Sequence, residues 1–280
     1  MASVTLHDGR ALRYDEHGDP KLDDVVVLFH GAPGSRLFVP GACDARLVVF
    51  DRPGYGGSDA RPGRVVTDCA ADVASLLDHL DVASARLIAW SGGCPFAVAT
   101  AQALPDRVRH LALVGGPGPL DEVDGAWEGL GELRRPTAEL ARRDPARAAR
   151  AVERRMQSVL DQPASFVGNG RGADAGVLVD ARHRTMLEDQ VREAFRPGAT
   201  GIADDLVAMW LPWGFDLGSV LVPTVVFHGG EDPYNAADSA TYAEQIPHAR
   251  LIRWPDAGHL GILSNWSQVV AAGSAADRSR

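Results

Sequence analysis

Short apolar runs alternate with amphipathic stretches through the first 116 residues, which predicts strands separated by helices. Val4 to Leu6 and Ala11 to Glu16 read as an opening hairpin that turns at Asp8-Gly9. Val25 to Phe29 and Leu47 to Phe50 are continuously apolar, the pattern of interior parallel strands buried on both faces. Between Thr67 and Leu80 the period changes. Val73, Leu76, Leu77 and Leu80 recur at helical spacing, and Thr67 is placed to cap the helix. Leu87 to Trp90 is apolar again, Cys94 to Ala103 reads as a helix, and Leu111 to Val114 as a further strand. Strands alternating with helices predict an α/β fold, a parallel sheet covered on both faces.

From Pro117 to about Pro212 the pattern breaks. This segment has no convincing strand and is rich in Ala, Arg and Glu. Asp144 as N-cap and Pro145 at the first helical position open a helix that runs to about Leu160. Asn169-Gly170-Arg171-Gly172 reads as a flexible turn, with helices from Thr185 to Phe195 and from Gly201 to Leu211. The arginines between Arg134 and Arg155, interleaved with Glu139, Asp144 and Glu153, read as a solvated helix face. Phe215 to Val222 returns to the core. A strand from Val225 breaks at Gly229-Gly230, and Ala249 to Trp254 forms another. Ala236 to Gln245 and Asn265 to Ala272 close the fold as helices, and Ser274 to Arg280 reads as a frayed tail. The expected organisation is a core of residues 1–116 and 213–280 with a helical insertion at 117–212.

Composition narrows the function. A chain of 280 residues fits one α/β domain with an insertion better than two independent domains. A net charge of −9 argues against a nucleic-acid partner, because phosphates need clustered cations. No apolar run reaches membrane-spanning length, so no membrane partner is expected. Met1 to Asp8 has no basic segment followed by an apolar one, so a cytoplasmic location without a signal peptide is expected. Cys43, Cys69 and Cys94 lack metal-ligand spacing and are expected to be reduced thiols, Cys94 a buried and inert one.

The candidate chemistry begins at Leu87-Ile88-Ala89-Trp90-Ser91-Gly92-Gly93. A strand feeding a helix through a tight turn would present Ser91, and only small residues fit two before and two after it. Those positions hold Ala89 and Gly93. A serine nucleophile needs a base, a group that orients the base, and N–H donors for the oxyanion. His259, in a loop after the last strand, is the candidate base. His7, His17, His79, His110, His183 and His248 read as surface residues in helices or turns. Glu231 and Asp232, just after a buried-strand pattern, are both candidate acids. The loop His30-Gly31-Ala32-Pro33-Gly34-Ser35 follows a strand and offers the N–H of Ala32 to pair with that of Gly92. Trp90 beside the serine and Trp210 in the insertion are the expected substrate contacts. Trp127, Met156, Phe166, Met186 and Trp213 are further apolar residues available there, most of them as ordinary packing.

The order Ser91, Asp232, His259 has company along the chain. His30-Gly31-Ala32-Pro33-Gly34, Asp51-Arg52-Pro53-Gly54-Tyr55-Gly56-Gly57-Ser58, Ala89-Trp90-Ser91-Gly92-Gly93, His228-Gly229-Gly230-Glu231-Asp232-Pro233 and Ala257-Gly258-His259 follow in sequence. In these segments, over nearly its whole length, the chain resembles the α/β-hydrolase family, with Ala89 in place of the first glycine of G-x-S-x-G. The resemblance implies a mostly parallel twisted sheet of about eight strands and a helical cap inserted over the nucleophile. It also implies a Ser91–His259–Asp232 triad and an oxyanion hole from Ala32 and Gly92. Some relatives carry the acid after the sixth strand. Here Gly115-Gly116-Pro117 holds no carboxylate, which favours Asp232. Serine rather than aspartate at position 91 argues against halide removal and epoxide opening.

The implied activity is cofactor-independent, metal-free serine hydrolysis of a small, mostly apolar ester, thioester or lactone. Carbon–carbon bond hydrolysis, haloperoxidase-like perhydrolysis, amide or imino-peptide cleavage and cyanohydrin cleavage use the same triad. A small-molecule receptor with little turnover is the alternative outside catalysis. The expected partner is a small-molecule substrate, and a homodimer is left open.

Overall fold

The computed structural model describes residues 2–274. The tail expected from Ser274 onward therefore lies almost wholly outside the described residues. Among the described residues eight strands make one sheet. They are β1 Ala2–Thr5, β2 Ala11–His17, β3 Val25–Phe29, β4 Arg46–Phe50, β5 Ala85–Trp90, β6 Val108–Val114, β7 Thr224–Gly229 and β8 Ala249–Trp254. Their order is β1-β2-β4-β3-β5-β6-β7-β8. β2 pairs antiparallel with β1 and β4, and every other pairing is parallel.

Side-chain alternation explains why the apolar runs became central strands. Along β3 all five residues are buried. Val25, Val27 and Phe29 face one core cluster, and Val26 and Leu28 face the other. The first cluster is closed by Val73, Leu76 and Leu77 of helix α1 (Cys69–His79) and by Phe96 and Ala97 of α2 (Cys94–Ala103). The second is closed by Phe38, Ile262 and Val269.

Three local expectations are corrected. Thr67 does not cap α1; a 3₁₀ turn over Val66–Asp68 precedes the helix, and the Asp68 carboxylate reaches back to accept the Val65 N–H at 2.9 Å. His110 is not a surface residue. Strand β6 begins at Val108, earlier than its apolar run suggests, and buries the imidazole. The helix expected from Thr185 starts at Ala181, because Asp180 accepts the Arg182 N–H at 2.9 Å and caps it.

Among the described residues no strand lies between β6 and β7. That stretch carries α3 (Ala126–Gly129), α4 (Gly131–Ala141), α5 (Pro145–Leu160), α6 (Ala173–Val177), α7 (Ala181–Ala194) and α8 (Thr200–Trp210). Asp144 caps α5 by accepting the Arg147 N–H at 2.9 Å. Small residues let α4, α5 and α8 approach: Ala138, Ala141, Ala148 and Ala203 pack with Val152, Val207 and Trp210. The arginine-rich face is not wholly solvated, since Arg142 donates to the Trp210 carbonyl at 2.5 Å and to Asp121 at 2.8 Å. After β7 come α9 (Ala236–Gln245), α10 (Gly261–Ser264) and α11 (Trp266–Ala271).

The helical insertion is tied to the sheet by a buried ion network. Asp205 of α8 accepts Arg52 at 2.7 Å, Arg64 at 2.6 Å and the Tyr55 hydroxyl at 2.9 Å. Arg52 spends its remaining donors on the carbonyls of His30, at 2.5 Å, and Gly31, at 2.9 Å. Removing one partner of such a set strands the others without solvent. Asp205→Ala is therefore expected to cost about 3–5 kcal/mol of stability. Urea unfolding measures it, and a loss under about 1 kcal/mol, within reach of an ordinary hydrogen bond, contradicts the account.

Candidate active site

Parallel strands bring their following loops to one edge of the sheet, the place where open α/β sheets bind ligands. The register sets Phe29 beside Ala89, Trp90 beside Val114, and Gly229 beside Trp254. The segments that begin at His30, Ser91, Gly230 and Pro255 therefore leave the same edge.

Ser91 occupies the turn between β5 and α2 with φ of +51°, a left-handed conformation that a side chain disfavours. Close approach enforces this turn. A methyl on Gly93 would lie 2.6 Å from the carbonyl oxygens of Phe29 and His30, and one on Gly92 would lie 2.6 Å from the Ala32 Cβ. The backbone at Gly92 thus rests directly on that of Ala32. Glycine accepts positive φ without penalty, so Ser91→Gly is expected to be more stable than Ser91→Ala by about 1 kcal/mol. Urea midpoints of the two variants check this, and an equal or greater stability of the alanine variant contradicts it.

His259 Nε2 stands 2.9 Å from Ser91 Oγ, and His259 Nδ1 stands 2.8 Å from Asp232 Oδ2. The Asp232 side chain is 1% exposed and that of His259 19%, so the carboxylate is sealed while the imidazole reaches solvent. Asp232 Oδ1 accepts the Tyr234 N–H at 2.9 Å. A proton on Nδ1 serves Asp232 and leaves Nε2 free to accept from the serine hydroxyl. The competing carboxylate, Glu231, is exposed and accepts the Ala173 N–H at 3.0 Å instead.

Of the two tryptophans expected to meet substrate, Trp90 lies beside the histidine. Its indole N–H donates to the His259 carbonyl at 3.1 Å, and its ring stacks on Phe38. Trp210 is buried in the helical cluster with Leu120 and Ala138. Trp213 belongs to the core cluster with Tyr242. Tyr234, which the sequence did not single out, is exposed and sets its ring edge-on to His259 at 5.8 Å. The available signal was an aromatic two residues beyond the acid. Cys94 is fully buried, and burial pushes its thiol up to about 12, which removes it as a competing nucleophile. Among the described residues no group of three His, Cys, Asp or Glu is placed to hold a metal ion. None of the described helices is long and apolar enough to cross a membrane.

His30, at the root of the Ala32 loop, is fully buried; its Nδ1 sits 2.7 Å from the Gly31 carbonyl and its Nε2 accepts the Arg52 N–H at 3.2 Å. Burial first, and then the Arg52 charge, hold this imidazole well below its usual 6.5. The folded state therefore keeps His30 neutral while the unfolded chain protonates below pH 6.5. This stabilising contribution is complete above that pH and falls as the solution is acidified toward the folded value, by about 1.4 kcal/mol per unit at most. Urea unfolding at pH 7.5 and 5.5 should show a weaker pH dependence in His30→Gln than in the wild type. Equal dependence contradicts the assignment.

A family model described as alpha/beta hydrolase fold matches residues 24–265. The chain is 33% identical over 274 residues to a 2-hydroxy-6-oxononadienedioate/2-hydroxy-6-oxononatrienedioate hydrolase of Burkholderia vietnamiensis, covering 91% of this chain and 87% of that protein. It is 30% identical over 268 residues to the dihydrolipoyllysine-residue acetyltransferase component of an acetoin cleaving system from Pseudomonas putida. That match covers 90% of this chain but spans only 62% of the longer protein. Among solved structures, the enol-lactonase from Burkholderia xenovorans LB400 aligns with a TM-score of 0.71 at 20% identity, covering 97% of both chains.

Proposed function

The chain belongs to the α/β-hydrolase fold family, and from that premise we propose that it is a serine hydrolase needing no cofactor. It cleaves a small, mostly apolar ester, thioester or lactone through an acyl-enzyme. The observation that carries this reading is the unbroken chain of contacts from Ser91 through His259 to Asp232, at 2.9 and 2.8 Å, ending on a sealed carboxylate. His259 Nε2 takes the hydroxyl proton as Ser91 Oγ attacks the carbonyl carbon. Asp232 fixes the imidazole tautomer and stabilises the imidazolium. The N–H groups of Ala32 and Gly92 receive the oxyanion. As the tetrahedral intermediate collapses, His259 returns the proton to the leaving alcohol or thiol. His259 then deprotonates a water, which attacks the acyl-Ser91 ester and releases the acid.

In this reading residues 1–116 and 213–280 are the catalytic core, and 117–212 cap it and limit water access. Trp90 and Tyr234 border the substrate near His259, and Trp210 shapes the cap.

The relative named as a 2-hydroxy-6-oxononadienedioate hydrolase favours a second reading. A keto-dienedioate contains no ester, so its hydrolysis has to break a carbon–carbon bond. Steady-state kinetics on p-nitrophenyl esters of increasing acyl length, beside a 2-hydroxy-6-oxo-dienoate, separates the two. Multiple turnover on short esters with no cleavage of the dienoate is the expected result. The reverse pattern replaces the first reading with the second. At most one slow turnover on either substrate, with tight binding, points to a receptor.

A further inference from the structure

The ring of His259 is held by Asp232 and Ser91, but the backbone that carries it is held from elsewhere. Asp174, on the short helix α6 of the insertion, accepts the His259 N–H at 3.2 Å through Oδ2 and the Leu260 N–H at 2.8 Å through Oδ1. The same carboxylate presses on Gly258, where an added methyl would lie 2.3 Å from Oδ1. One residue away, the Ala173 N–H donates to Glu231, the neighbour of Asp232, at 3.0 Å. A single turn of the insertion thus grips both the loop that carries the histidine and the loop that carries the acid. The contact between Asp174 and His259 joins residues 85 positions apart in the chain.

We propose that Asp174 is a positioning residue for His259, so that the insertion, besides covering the site, sets the base against the serine. This rests on the reading of His259 as the general base. Two backbone N–H groups at the entry to α10 take up the carboxylate, and carboxylate–N–H bonds are stronger than neutral ones. Without them the loop is free to shift, and Nε2 shifts with it. Misplacement of a reacting group by 1 Å is enough to cost about a hundredfold in rate.

The test uses the full chain as Asp174→Ala and Asp174→Asn, with Ser91→Ala and His259→Ala as references. Four quantities are followed: kcat and KM on a p-nitrophenyl ester, the rate of labelling by a fluorophosphonate, hydrogen exchange at the His259 and Leu260 amides, and the melting temperature. Asp174→Ala should lower kcat and the labelling rate together, by about tenfold to a hundredfold, with KM little changed. The two amides should exchange faster. Asp174→Asn keeps the shape of the side chain and one acceptor oxygen, so it should recover part of both rates; it carries the test if the alanine variant does not fold. Wild-type kcat, labelling and exchange in the Asp174 variants, with both reference variants inactive, overturns the proposal and leaves the triad intact. Active Ser91→Ala and His259→Ala enzymes remove the triad reading, and this proposal falls with it.

Discussion

Ser91→Ala is expected to lower kcat by about 10⁴- to 10⁶-fold, the range set by loss of the nucleophile in a serine triad. The methyl group fills the same turn, and φ of +51° suits alanine no worse than serine, so the fold survives the substitution. What disappears is the atom that forms the acyl ester in the proposed mechanism. His259 and the N–H groups of Ala32 and Gly92 remain, so the residual rate reports what binding and the oxyanion donors achieve without covalent catalysis. Stopped-flow traces with substrate in excess should show no burst of p-nitrophenol. A variant with more than about one per cent of wild-type turnover would mean that another group, or an activated water, performs the attack.

Asp232→Asn has the second largest expected effect, about 10⁴-fold in kcat. The substitution is nearly isosteric, and the amide oxygen can still accept the Tyr234 N–H that Asp232 now holds at 2.9 Å. The amide nitrogen then faces His259 Nδ1, a donor where an acceptor stood at 2.8 Å. The imidazole must present a lone pair to that donor, which places its proton on Nε2, the atom that has to receive the proton of Ser91. The negative charge that stabilises the imidazolium in the proposed mechanism is lost as well. Substrate affinity should change little, because the Asp232 side chain is only 1% exposed. A similar fall in Glu231→Gln with an active Asp232→Asn enzyme would transfer the role of the acid to the neighbouring carboxylate.

Much of this site was legible because the chemistry sits at strand ends. A continuous apolar run such as Val25 to Phe29 announces a central parallel strand, and parallel strands deliver their loops to one edge. Ser91 and His259 could be singled out from their places after strands, the resemblance to the α/β-hydrolases favoured Asp232 over Glu231, and the fold sets His259 within hydrogen-bond distance of both Ser91 and Asp232. Side-chain reach was less visible. Asp180 and Asp68 shift helix starts through bonds to backbone N–H groups, and an apolar periodicity does not register them. Asp174, Asp205 and Tyr234 were not foreseen for a related reason. Asp205 looks like any polar residue in a helix until Arg52, 153 positions earlier, folds against it. At His110 the flanking arginines, Arg107 and Arg109, disguise a buried strand start.

Intact-mass and peptide mass spectrometry after treatment with a fluorophosphonate decides whether Ser91 is the nucleophile that His259 activates. One phosphonyl adduct per chain is expected, located on Ser91, absent in Ser91→Ala and formed far more slowly in His259→Ala. An adduct on any other residue, or equal labelling of the folded His259→Ala variant, would contradict that assignment.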